Sequence, residues 1–143
     1  MKPWEDFEEY VAESIGGSRV RGSGNSDQHK GDVISARFLA ECKQTGGGSY
    51  RISDALVRKI AIESLCRSRD WMFCARVASG DWCMLPMVAL PETFDVGALP
   101  MREVGKTCAV DKSTVECEVL FASGRRAVLL SFGHAMEVLG YAD

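Results

Sequence analysis

Lys30-Gly31-Asp32-Val33-Ile34-Ser35-Ala36-Arg37-Phe38-Leu39-Ala40-Glu41-Cys42-Lys43-Gln44-Thr45 is the stretch of chain that decides the architecture. Asp32–Ile34 reads as the start of one strand and Ala36–Gln44 as a second. The chain turns near Ser35 and Ala36, which predicts a hairpin. Side chains alternate between faces along a strand, so Glu41 and Lys43 project to one side about 7 Å apart while Cys42 turns towards packing. A Glu and a Lys closing a strand that otherwise reads Phe38-Leu39-Ala40 are costly to bury unless paired or liganded. With Asp32 on the neighbouring strand, two carboxylates and an ammonium are expected in one small cavity.

That set suits phosphodiester hydrolysis. Hard oxygen donors from Asp32 and Glu41 fit Mg²⁺, with Mn²⁺ as a substitute, and leave room for water and a substrate phosphate. Such an ion lowers the pKa of a bound water and stabilises charge on the reacting phosphate. Lys43 then either positions or deprotonates the attacking water, or neutralises developing negative charge. Both roles stay open at this point. An E-x-K pair alone is a common strand-surface salt bridge; the Gly-Asp step ending nine residues before Glu41 is what sets this one apart.

Outward from this hairpin, Trp4, Phe7, Tyr10 or Val11, and Ile15 lie at roughly helical spacing, and Gly16-Gly17 ends the helix they predict. Ser18 to Arg21 is short and extended, and Gly22 to Gly31 is a polar loop. After Gly46-Gly47-Gly48, Ser53 is a good N-cap for a helix over 54–68, with Leu56, Val57, Ile60, Ala61 and Leu65 as its apolar stripe. Trp71 to Ala78 and Trp82 to Leu90 form a second hairpin around Ser79-Gly80-Asp81. Residues 91–112 read as irregular. Thr114 to Phe121 and Arg126 to Phe132 are two further strands, and Ala135 to Leu139 a short closing helix. The alternation predicts an α/β protein with a mixed sheet.

The chain has 143 residues, 46% hydrophobic and 26% charged, within the range of one ordinary globular domain. Its apolar runs fall short of the roughly 18 to 20 residues of a membrane span. The start, Met1-Lys2-Pro3-Trp4-Glu5-Asp6, lacks the apolar core of a secretion signal, so a cytoplasmic protein is expected. The six cysteines form no C-x-x-C pair and sit mostly inside apolar runs, which reads as buried free thiols. His29 and His134 are too far apart in sequence for a usual zinc spacing. A net charge of −3 does not advertise a nucleic-acid binder. The distribution is more informative, with Glu5, Asp6, Glu8, Glu9 and Glu13 near the start and a basic middle that includes Arg19, Arg21, Arg58, Lys59, Arg67 and Arg69. An acidic metal pocket beside a basic surface has this pattern, and so does a chain with no special arrangement of charge.

Taken together, Gly22-Ser23-Gly24, Lys30-Gly31-Asp32-Val33, Glu41-Cys42-Lys43-Gln44-Thr45 and Gly80-Asp81-Trp82 resemble, in order, the archaeal and phage Holliday junction resolvases of the PD-(D/E)XK superfamily. The resemblance spans about residues 5–90. It implies a restriction-endonuclease-like core over 1–90, a mixed sheet flanked by helices; residues 91–143 have no counterpart in the resemblance and read, from their own pattern, as a β-rich extension (a hairpin plus a short helix) packed on the same domain. It also implies a homodimer that cuts four-way or other branched DNA with one active site per opposing strand. The family's helical glutamate registers best on Glu8, with Glu5 and Glu9 as alternatives and Glu13 less well placed. The loop serine that approaches DNA registers on Ser23. Arg21, His29, Lys30 and Gln44 are the accompanying candidates for DNA contact, and a phage origin is expected. Other readings stay open: a nicking or restriction-like nuclease, a non-catalytic DNA-binding or assembly protein on the same fold, or an unrelated α/β interaction protein.

Overall fold

A proline in the first turn and a left-handed glycine, Gly16 at φ 65°, bound the first helix, α1 (Pro3–Ile15). Its buried side is Phe7, Glu8, Val11, Ala12 and Ile15, so Val11, and not the exposed Tyr10, belongs to the core stripe. The chain then passes so close to the next strands that a Cβ on Gly17 would meet the Ile34 carbonyl oxygen at 2.5 Å. Only glycine fits there, and it sets how α1 sits on the sheet. The computed structural model describes residues 2–20 and 32–142.

The remaining elements are β1 (Ser18–Arg19), β2 (Asp32–Ile34), β3 (Phe38–Gln44), β4 (Tyr50–Ser53), α2 (Asp54–Cys66), β5 (Asp70–Val77), β6 (Gly80–Leu85), β7 (Met101–Glu103), β8 (Thr107–Val110), β9 (Cys117–Leu120), β10 (Arg126–Ser131) and α3 (Phe132–Leu139). Eight strands form one sheet in the order β1-β2-β3-β5-β6-β10-β9-β7, and β4 pairs with β8 in a small second sheet. β3 and β5 run parallel, as do β7 and β9, and the other pairs are antiparallel. The parallel β3–β5 pair requires a crossover, and α2 supplies it. The protein is therefore α/β with a mixed sheet flanked by helices, the order of parts that the resemblance implies. Residues beyond 90 lengthen the same sheet, because β10 pairs directly with β6.

Strand alternation splits the core into two apolar layers. On one face, Val33, Ala40, Cys42, Met72, Cys74 and Leu85 pack under α1 and α3. On the other, Leu39, Trp71, Phe73, Ala75, Leu129 and Val119 pack against Val57 and Ile60 of α2 and Ile52 of β4. Trp71 and Phe73 are thus core residues. Five of the six cysteines are buried and Cys66 is exposed. Cys42, Cys74 and Cys83 lie in register across β3, β5 and β6, and burial pushes the thiols of Cys42 and Cys74 well above the usual range.

Several boundaries differ from the expectations, each for a physical reason. In α2 the buried positions are Val57, Ile60 and Ser64, while Leu65 is 78% exposed. Leu65 falls one residue, about 100° of helix, past that stripe, and the Ser64 hydroxyl is satisfied by donating to the Ala61 carbonyl at 2.8 Å. The helix stops at Cys66, short of 68. β6 ends at Leu85 because Pro86 has no N–H to offer a neighbouring strand, and Met87–Ala89 turns as a 3-10 helix. β4, β7 and β8 occupy stretches that read from sequence as break or irregular. The closing helix begins at Phe132, three residues before Ala135.

Candidate active site

The β2–β3 hairpin places Asp32 directly opposite Glu41. Its tight turn is held by Ser35, whose hydroxyl accepts from the Phe38 N–H at 2.9 Å, and by Arg69, whose Nε donates to the Ser35 carbonyl at 2.7 Å. Opposed residues on an antiparallel pair share a face, and so do residues two apart on one strand. Asp32, Glu41 and Lys43 therefore come together on the face of the sheet that α2 and β4 cover. Lys43 Nζ lies 3.4 Å from Glu41 Oε1. Both carboxylates are buried, Asp32 at 8% exposure and Glu41 at 9%.

The electrostatics of this trio are out of balance. Burial pushes the Glu41 carboxyl up to about 8, with Asp32 contributing to the rise through its hydrogen bond and charge, and Lys43 pulling the other way. Two carboxylates share a hydrogen bond only while one carries a proton. With both ionised, nothing donates between them, and Asp32 Oδ1 is buried with no hydrogen-bond partner. An uncompensated buried acceptor of this kind is expensive. A divalent cation bound to both oxygens would relieve both the missing partner and the like-charge repulsion, so the donor set fits Mg²⁺ or Mn²⁺.

Glu8 lies elsewhere in the arrangement. It is buried on α1, beneath the opposite face, and its Oε1 accepts from Arg19 Nε at 3.0 Å. The same guanidinium reaches Glu5 at 3.5 Å. Burial raises the Glu8 carboxyl, Arg19 lowers it, and the charge of Asp32 adds to the rise, so the two acids feel each other across the sheet edge. Among the described residues, no three metal-ligating side chains are gathered closely enough to hold one ion. The structure brings Asp32 and Glu41 together and leaves Glu8 paired with Arg19.

The other sequence candidates divide in two. Gln44, one residue past Lys43, takes the opposite face with Cys42 and is half-buried, so it does not share the carboxylate face. Arg21, Ser23, His29 and Lys30 lie outside the described residues. On α2, Arg58 and Lys59 are exposed, whereas Arg69 is committed to the Ser35 and Arg67 carbonyls. Two residues near the site carry no functional signal in the sequence reading. Arg19 reads there only as part of the basic middle; its one distinguishing mark is a lone cation just after Gly16-Gly17, within reach of the helical acids. Tyr50 is a lone aromatic in a polar stretch. Its ring stacks on Phe73 at 6.2 Å and 29°, and Phe73 is the register partner of Glu41 on β5.

No family model matches the chain, and no curated protein matches it by sequence. Among solved structures it is similar to Hjc, a Holliday junction resolvase from the archaeal hyperthermophile Archaeoglobus fulgidus. That likeness has 14% identity and a TM-score of 0.44, and covers 76% of this chain and 86% of the other. It is a likeness of chain path alone. Among the described residues, no helix is long and apolar enough to cross a membrane.

Proposed function

We propose that this chain is a divalent-cation-dependent endodeoxyribonuclease acting on branched DNA, with the four-way junction as its substrate. One observation carries the reading. Asp32 and Glu41 face each other in register with Lys43 on the same side, and a buried Asp32 oxygen lacks any partner. Asp32 and Glu41 hold the ion, Mg²⁺ with Mn²⁺ as a substitute. When bound, the ion supplies an activated water and charge stabilisation at the phosphate.

The chain's own residues do the rest. The hairpin turn fixes the two carboxylates, and Phe73 and Leu39 keep bulk water from the buried side of the site. Lys43, one-third exposed beside Glu41, offers its ammonium to the phosphate, or its free amine to the attacking water. The pH–rate profile separates these roles, since a base gives an alkaline-rising limb that Lys43→Arg removes. Glu8 is a third ligand only if its carboxylate leaves Arg19; Mn²⁺ affinity in Glu8→Gln reports this directly. Arg21, Ser23, His29 and Lys30, in the segment leading into Asp32, together with Gln44, are the proposed DNA contacts. They would recognise branched DNA by shape and phosphate position.

Two symmetric cuts in a junction need two sites, so the working form is a homodimer, acting in the cytoplasm of the cell or of a phage host. The test compares an immobile four-way junction with linear duplex, in Mg²⁺ and in EDTA. Cleavage of the junction in Mg²⁺ alone is expected. Equal cutting of both substrates removes the junction preference and leaves a general nicking or restriction-like nuclease. No metal-dependent cutting of either removes the nuclease.

A further inference from the structure

We propose that Tyr50 is a substrate-contacting residue of this site: its phenol O–H donates to a non-bridging oxygen of the scissile phosphate, and its ring, backed by Phe73, forms the wall beside β4. The assignment rests on the nuclease reading and adds to it a residue that none of the site motifs contains.

The placement comes from register and packing. Glu41 on β3 is level with Phe73 on β5, and side chains of one parity along these strands share a face. Tyr50 packs its ring on Phe73 from that same face, in the apolar layer that also includes Ile34, Leu39 and Ile52. The phenol ring thus packs on the residue that stands level with Glu41. Its position is not left to the loop before it. Tyr50 pairs with Val110 and Ile52 with Cys108 on β8, and Val110, Ile52 and Cys108 are all fully buried. The ring is half-buried, and the hydroxyl has no hydrogen-bond partner among the described residues.

The chemistry of the face explains why a donor belongs there. Ionised Asp32 and Glu41 only accept hydrogen bonds, whereas a phosphoryl group in transfer carries negative oxygens that need donors. Lys43 is one donor on this face and Tyr50 adds a neutral second. Burial first, and the charge of Glu41 after it, push the phenol up and keep it protonated. A protonated phenol donates; it does not attack phosphorus.

Tyr50→Phe tests the idea cleanly, because it keeps the ring stack and removes only the hydroxyl. Wild type, Tyr50→Phe and Asp32→Asn are compared for junction cleavage in Mg²⁺, junction affinity in Ca²⁺ and Mn²⁺ affinity without DNA. Tyr50→Phe should lose about tenfold to a hundredfold in kcat, with both affinities and the unfolding midpoint unchanged. Sulfur at the contacted non-bridging oxygen should slow wild type more than Tyr50→Phe, a difference that a merely structural tyrosine does not produce. Wild-type turnover with Tyr50→Phe equally fast overturns the Tyr50 assignment alone. A covalent tyrosyl–DNA adduct overturns it in favour of a nucleophile. Absence of metal-dependent cutting in wild type overturns the nuclease reading and this assignment with it.

Discussion

Among the described residues, each half of the large sheet buries one carboxylate oxygen without a hydrogen-bond partner, Asp32 Oδ1 on β2 and Glu118 Oε2 on β9, and the two have opposite neighbours. Glu118 lies across from Val128 and has Arg126 Nη1 at 3.5 Å. That contact is an ion pair and not a hydrogen bond, and it puts a positive charge beside the acid. Asp32 lies across from another acid, and Lys43, on the same face, is engaged with Glu41. A buried acid beside a cation is ordinary structural compensation. A buried acid facing a second acid is a shortage of positive charge that the fold leaves for something else to fill. The difference distinguishes the surroundings of the two carboxylates without any appeal to motif.

The largest effect expected from this contrast is on cleavage. Asp32→Asn or Glu41→Gln should reduce the cutting rate by at least about a hundredfold while folding and junction binding persist. Glu118→Gln should stay within about twofold of wild type in the same gel assay. Full activity in Asp32→Asn would erase the distinction. Next, Lys43→Met should lower kcat by about a hundredfold in single-turnover cleavage, since it removes the cation paired with Glu41.

A smaller effect, of opposite sign at the two sites, is expected on stability in EDTA. Urea unfolding above pH 8, where both acids are ionised, should show Asp32→Asn neutral or stabilised by about 1 kcal/mol, because it relieves like-charge repulsion. Glu118→Gln should lose about 1 kcal/mol or less, because Arg126 is 56% exposed and water screens the pair.

The subtlest expected effect is on pH. Glu41 is raised on folding from 4.5 to about 8. A carboxyl raised in this way favours the folded state while protonated, fully below its unfolded value, and that contribution is lost as pH rises through about 8. Metal-free protein should therefore have a lower urea midpoint at pH 8.5 than at pH 5. Mg²⁺ should reduce the difference, and Asp32→Asn should shrink it.

The Asp32, Glu41 and Lys43 grouping is legible in the sequence because it depends on local rules. A short break between two apolar runs gives a hairpin, and period two then puts Asp32, Glu41 and Lys43 on one face. The same rule places Gln44 on the other face, with Cys42 and away from Lys43. The elements that sequence does not reveal are those whose stability comes from partners distant along the chain. Tyr50-Arg51-Ile52-Ser53 shows no clear strand pattern, and Met101-Arg102-Glu103 is three residues long; each becomes a strand because β8 or β9 lies beside it. Leu65 misleads for a related reason. Its apolar character fits a helix stripe, but the phase that faces the sheet is set by Val57 and Ile60, and a serine fills the next buried turn.

The pairing of β4 with β8, and of β6 with β10, means that the chain does not come apart at residue 90. A fragment ending there would keep Asp32, Glu41 and Lys43 yet expose β6, with Cys83-Met84-Leu85, as an open edge that invites strand-to-strand aggregation. It would also take away the strand that holds Tyr50 in place. The late segment therefore covers the edge of β6 and supports β4, two tasks that the stretch up to residue 90 does not perform for itself.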